Sequence, residues 1–178
     1  DVGCGRKECE PACDCDRFVE IWNLVFTQYN RQEDGSLVPL PHKNVDTGMG
    51  LERMVRVIQG VRTNFDIDIF SPIIKGIEEI THLKYNGKSE NSILMRRISD
   101  HIKACVFCIG DGVLPGNEGR GYVERRLLRR AIRDGTQLGV KESFLYKLIP
   151  IVSDVMQEPY PDIKQRRENI ARIIKSEE

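Results

Sequence analysis

The chain has 178 residues, 40 % of them apolar, with Lys plus Arg and Asp plus Glu equal at 27 each. That is enough for one sizeable core or two small ones, and the zero net charge by itself points to no anionic partner. No apolar run approaches the roughly 20 residues of a membrane helix, and the amino terminus lacks the basic-then-apolar pattern of a secretory leader; no membrane partner is expected and the cytoplasm is the default.

Residues 1–17 form a cysteine-rich stretch without apolar periodicity, holding Cys4, Cys9, Cys13 and Cys15 of the six cysteines. Residues 17–41, RFVEIWNLVFTQYNRQEDGSLVPLP, read as a long strand, a turn around Asp34 and Gly35, and a short return strand. The first strand is apolar on both faces, which predicts a central position in a sheet. Helices follow: the first over GLERMVRVIQGV, the second opening at Ser71 and Pro72 and running to about Leu83. Leu94, Ile98, Ile102, Cys105 and Ile109 recur at steps of three and four and predict a third. Residues 121–138, about 142–157 despite Pro150, and 161 to the end predict three more. The fold class is α+β: an antiparallel sheet fragment over residues 18–84, then a mainly helical domain over 85–178, with the boundary in KYNGKSENS. The chain opens without a methionine and closes inside a helical pattern, so further segments of the same protein are expected partners.

Three groups of residues carry chemistry. In KNVDTGMGLERMVRVIQG, Gly48 and Gly50 permit conformations closed to other residues and let a planar ring lie on the backbone. Arg53 sits in the first turn of a helix, where its fork can reach phosphate oxygens. A plain strand-to-helix turn with a surface arginine accounts for the same residues. Upstream, Val19, Ile21, Asn23 and Val25 share one strand face, which sets a carboxamide among aliphatic side chains; Trp22 on the other face reads as core. Buried without a partner, that amide would cost about 1 to 3 kcal/mol.

In LPGNEGRGYVERRLLRRAIRDG, Val123, Leu127, Leu128, Ala131 and Ile132 span one half of a helix, and Arg125, Arg126, Arg129, Arg130 and Arg133 span the other. Such an arginine stripe suits bidentate contacts to a phosphate backbone, or a solvated face with salt bridges. The third group is the cysteine stretch. Its spacings of four, three and one suit a four-thiolate zinc site in a reducing compartment; free thiols and oxidation products remain alternatives. Cys105 and Cys108, three apart on an apolar helix, read as core.

The string DTGMGLER together with EIWNLVF resembles motif 3 and the preceding strand of class II aminoacyl-tRNA synthetases, specifically the alanyl-tRNA synthetases, in which Asp at the place of Asp46 is distinctive. PGNEGRGYV and its basic helix are similar to the tRNA-recognition region of the same family. The resemblance runs from about Phe18 to the end and implies ATP-dependent activation of L-alanine to alanyl-adenylate and its transfer to tRNA(Ala), with Mg²⁺ on the phosphates. It implies that residues 18–84 are the end of the aminoacylation domain and 85–178 the start of the acceptor-stem recognition domain. Arg53 and Asp46 take catalytic places, Asn23, Val25, Asp46 and Gly48 hold alanine, and Gly48, Gly50 and Arg53 hold ATP. Asn117 helps read the G·U wobble pair, with Arg120 and the five arginines of the helix on the acceptor stem. In an A-form helix the minor groove is the accessible one for a short amide.

The cysteine stretch takes the place of a variable insertion, so any zinc on Cys4, Cys9, Cys13 and Cys15 is structural. Asp66 and Asp68 orient the helix after motif 3, and His101, beside Asp100, braces the domain. Two departures stand out: Gly116 where Ser or Asp is expected, and Glu124 in place of Leu, a negative charge at the start of the basic helix. Motifs 1 and 2 and the acidic partner of Asn117 fall outside the chain, so an inactive acceptor-stem-binding module is the alternative reading, and a zinc-dependent adaptor a third.

Overall fold

The computed structural model describes residues 3–11, 13, 15 and 17–178; residues 1, 2, 12, 14 and 16 of the predicted cysteine-rich segment lie outside the described residues. The architecture is α+β, as expected. It divides into two compact units, residues 1–64 and residues 65–178.

In the first unit, β1 (Trp22–Arg31) pairs antiparallel with β2 (Leu37–Met49). The turn is where Asp34 and Gly35 predict it. Gly35 takes φ 86°, and Asp34 Oδ1 accepts from the Ser36 amide at 2.9 Å and the Ser36 hydroxyl at 2.6 Å. Those bonds to Ser36 hold the Asp34 carboxyl below its ordinary pKa. Two expectations fail here. The return strand is long, 13 residues, and Asp46, Thr47, Gly48 and Met49 belong to it instead of to a strand-to-helix turn. Nor is β1 central: among the described residues it pairs with β2 alone, and its large side chains stay uncovered, Trp22 with 58 % of its surface exposed. Apolarity on both faces reports what a strand can bury, and a two-stranded ribbon supplies no layer to bury it against. Helix α1 (Leu51–Gln59) follows at once and ends on Gly60, whose φ of 63° lets its amide turn back to the carbonyls of Arg56 and Val57.

The second unit holds α2 (Ser71–Thr81), α3 (Glu90–Gly110), α4 (Gly119–Gln137), a short 3-10 turn at Leu145–Leu148, α5 (Ile149–Met156) and α6 (Pro161–Glu177). The predicted fifth helix is thus a 3-10 turn and then a helix, because Pro150 is tolerated in a first turn and would break an interior. Ile73, Ile74 and Ile77 of α2, the predicted stripe of α3, Leu128 and Ala131 of α4, and Ile163, Ile170 and Ile174 of α6 make the core.

The units meet at Asn64 and Phe65, not in the 84–92 loop. That loop belongs to the second unit. Tyr85 donates its amide to Glu78 at 2.8 Å, and Arg96 reaches the Tyr85 hydroxyl at 2.7 Å and the Gly87 carbonyl at 2.9 Å. Polar composition marked it as a linker, but these bonds staple α2 to α3. Across α3 and α4, Arg97 pairs with Asp134, which is only 1 % exposed.

Candidate substrate and nucleic-acid sites

Strand register assembles the first site. Asn23 lies opposite Gly48 and Val25 opposite Asp46, and residues two apart on a strand share a face, so Asn23, Val25, Gly48 and Asp46 occupy one face of the ribbon. All four are exposed, so Asn23 is not the buried amide that its aliphatic neighbours predict. Its Nδ2 donates to Glu20 Oε1 at 3.1 Å, which leaves Oδ1 turned over Gly48; a Cβ on Gly48 would lie 3.7 Å from that oxygen. On the other face the Trp22 indole donates to the Thr47 hydroxyl, which in turn donates to the Asn23 carbonyl at 3.1 Å. The Trp22 side chain braces the ribbon from solvent instead of filling a core.

Arg53 is tied to the same residue that holds Asn23. Its Nη1 donates to the Glu20 carbonyl at 2.7 Å. It faces a groove of about 880 Å³ that also takes Arg17, Glu20, Arg56 and Val57. Gly48 and Gly50 do not line this groove. Gly50 has φ −77°, open to any residue, and its value is space: a Cβ would sit 3.1 Å from the Arg53 Cδ. Three arginines facing one groove suit a polyanion.

The second site lies wholly in residues 65–178. Asn117, Tyr122, Arg125, Arg126, Arg129, Arg130 and Arg133 line a cavity of about 340 Å³. Arg120 is exposed on the first turn of α4 but does not line it. The Asn117 turn folds back on α4: the Gly116 amide donates to the Gly121 carbonyl at 2.9 Å, and a Cβ on Gly121 would meet the Leu114 carbonyl at 2.5 Å. The Arg126 guanidinium stacks 5.8 Å from the Tyr122 ring centre. Arg125 is engaged elsewhere, with Nη1 donating to Asn117 Oδ1 at 2.5 Å and Nε and Nη2 donating to the Glu177 carboxylate at 2.9 and 2.8 Å.

The buried stripe of α4 is narrower than the predicted one and has Glu124 at its centre, between Ala131 and Leu128. Glu124, Leu128, Ala131 and Gly135 face inward, while Val123 is 48 % exposed. Glu124 therefore adds no charge to the basic face. It is 2 % exposed, sits against the thiols of Cys105 and Cys108, and neither carboxyl oxygen has a hydrogen-bond partner among the described residues. Burial raises its pKa, and burial next to Glu124 raises both thiols. His101 joins Asp100 Oδ2 at 3.1 Å through Nδ1, and its Nε2 is buried without a partner among the described residues.

The third site is the thiol cluster. Cys4, Cys9, Cys13 and Cys15 place their sulfurs within 4.8 Å of one another, with Cys9 and Cys15 3.4 Å apart and Cys13 and Cys4 3.6 Å apart. Tetrahedral zinc at about 2.3 Å from each sulfur separates them by roughly 3.8 Å, so the four thiols fit the ion. Shared hydrogen bonds push Cys13 up to about 12, chiefly from Cys4, while Cys15 is lowered to about 7, first by a backbone bond at Arg17 and then by Cys9.

The family described as tRNA synthetases class II (A) matches residues 2–178. The chain belongs to this class II tRNA synthetase family. The alanine-tRNA ligase of Desulfosudis oleivorans is 54 % identical over 176 residues, 99 % of this chain and 20 % of that protein. Those of Desulforamulus reducens and Pediococcus pentosaceus are each 52 % identical, covering 99 % and 94 % of this chain and 20 % and 19 % of their own lengths. The resemblance to the alanine enzymes read from DTGMGLER is thereby borne out, and the chain spans about a fifth of the length of the curated relatives it matches.

Sequence reasoning missed Glu20 and Glu177. Glu20 joins Asn23 to Arg53, and Glu177 holds Arg125, which itself bonds Asn117. Glu20 lies three residues before Asn23, close enough for local inspection; Glu177 is 52 residues from Arg125 and carries no local signal. Among the described residues no helix is long and apolar enough to cross a membrane.

Proposed function

We infer that this chain supplies part of the alanine site and the start of the acceptor-stem site of an ATP-dependent alanine-tRNA ligase, working in the cytoplasm. The observation that carries the reading is the single ribbon face shared by Asn23, Val25, Asp46 and Gly48. Asn23 turns its amide nitrogen to Glu20, so its Oδ1 and the Asp46 carboxylate are two acceptors for an ammonium group. Gly48 leaves the space above the strand open, and Val25 bounds it with an aliphatic wall suited to a methyl side chain.

The alanine carboxylate attacks the ATP α-phosphorus, pyrophosphate leaves, and the resulting acyl-adenylate passes its acyl group to a terminal hydroxyl of tRNA(Ala) with release of AMP. The first step depends on positioning and charge neutralisation more than on a general base. Arg53, with Arg17 and Arg56 beside it, neutralises phosphate charge, and Mg²⁺ accompanies ATP as it does other phosphate substrates. The uncovered faces of β1 and β2 are suited to further strands of the longer protein. Cys4, Cys9, Cys13 and Cys15 would hold a structural zinc.

The test is alanine-dependent exchange of pyrophosphate into ATP by the full-length enzyme. Asp46→Ala should raise KM for alanine by about tenfold or more with KM for ATP within about twofold, and Arg53→Ala should do the reverse. An unchanged alanine KM in Asp46→Ala refutes the assignment. A second reading applies to the chain by itself, an acceptor-stem-binding module without adenylate formation. It is favoured because the arginine cavity lies entirely within residues 65–178. Robust pyrophosphate exchange by the isolated chain would refute it.

A further inference from the structure

We propose that Glu177 is a positioning residue for base recognition: by clamping Arg125, it fixes Asn117 with its amide nitrogen, not its oxygen, toward the bound nucleic acid. This rests on the reading of Asn117 as a residue that meets a base pair. Arginine has donors and no acceptor, so the atom of Asn117 that meets Arg125 Nη1 at 2.5 Å must be the carbonyl oxygen. Arg125 is itself held by a two-pronged contact, Nε and Nη2 on the two oxygens of Glu177.

The last turn of α6 that carries Glu177 is pinned in turn. The adjacent Glu178 Oε1 accepts the amides of Phe144 and Leu145, each at 3.0 Å, and Ile170 and Ile174 are buried. The Asn117 turn is closed independently by the bond from Gly116 to Gly121. Both ends of the relay are therefore anchored to rigid elements, and no bond from Asn117 Nδ2 is seen among the described residues.

Two consequences separate this arrangement from a simple arginine stripe. Arg125 has committed a hydrogen from each of its three nitrogens, so it works as a brace, and backbone attraction falls to Arg126, Arg129, Arg130 and Arg133. Asn117 offers hydrogens outward, so its partner on the nucleic acid is an acceptor, such as a base carbonyl, a ring nitrogen or a 2′-hydroxyl oxygen. An exocyclic amine is refused.

The experiment measures binding of a fluorescent acceptor-stem hairpin, in G·U and G·C versions, to the full 178-residue chain across a salt series. Wild type should prefer one hairpin by about fivefold or more, the size of one specific base contact. Glu177→Gln, Arg125→Lys and Asn117→Asp should each cut that preference to below about twofold with the salt slope unchanged. Arg129→Gln should instead lower the slope, by roughly 0.7 to 0.9 for each phosphate that Arg129 neutralises, with the preference intact. Circular dichroism confirms helical content; should Glu177→Gln fail to fold, Arg125→Lys carries the same test. Full preference in a folded Glu177→Gln or Arg125→Lys chain overturns the proposal and leaves the base-reading assignment standing. No preference in wild type, with Arg129→Gln still lowering the slope, overturns the base-reading assignment and this proposal with it.

Discussion

Replacing Glu124 with leucine should stabilise the helical unit, although it removes a charged residue from the start of a basic helix. Glu124 faces the Cys105 and Cys108 thiols across the α3 and α4 interface; these weak donors favour its charged form, but neither oxygen has a hydrogen bond of good geometry among the described residues. Burial raises its pKa above the unfolded value. Between the unfolded and the folded pKa the native chain holds a proton that the unfolded chain has lost, so stability falls as pH climbs through that interval, and the full penalty persists above it. The penalty has a ceiling. Folding can always proceed with the carboxyl protonated, and protonating an ordinary glutamate at neutral pH costs about 1.4 kcal/mol per pH unit above roughly 4.3, hence at most about 4 kcal/mol. A buried neutral carboxyl without a partner adds about 1 to 3 kcal/mol that does not depend on pH. Glu124→Leu should therefore gain on the order of 1 to 3 kcal/mol near pH 4.5 and more at neutral pH, the excess being at most about 4 kcal/mol. Urea unfolding followed by far-ultraviolet circular dichroism at the two pH values measures the difference directly. Destabilisation by leucine at neutral pH, or a gain that is the same at both, would refute the reasoning.

Three further outcomes are expected. Gly135→Ala should destabilise by about 1 to 3 kcal/mol in thermal or urea unfolding, opposite to helix propensity, because the added Cβ would run into the ring of buried Phe144. Gly121→Ala should weaken hairpin preference before it weakens salt-dependent affinity, since the Leu114 carbonyl must move and carry the Asn117 turn with it; equal loss of both would contradict this. The chain should bind zinc with an affinity that rises with pH, because Cys13, held up at about 12, must surrender its proton to the metal. Cys9→Ser with Cys13→Ser should abolish zinc binding in a chelator-release assay and lower thermal stability of the first unit without changing hairpin binding.

The sequence by itself determined the element order, the turn at Asp34 and Gly35, the inward stripe of α3, and the grouping of Asn117 with the five arginines of α4. These follow from local periodicity, turn chemistry and motif strings, which act over a few residues. Tertiary structure alone decided the rest. Whether β1 is central depends on strands it must pair with, so apolarity on both faces could not place it. A helical projection sets position 124 between Ala131 and Leu128, but only what α3 presents to α4 decided that a glutamate there is buried. The roles of Arg125 and Glu177 depend on a contact between residues 52 apart. Spacing along one helix groups arginines by direction; only the fold decides which of them is already bonded and which is left to meet a phosphate.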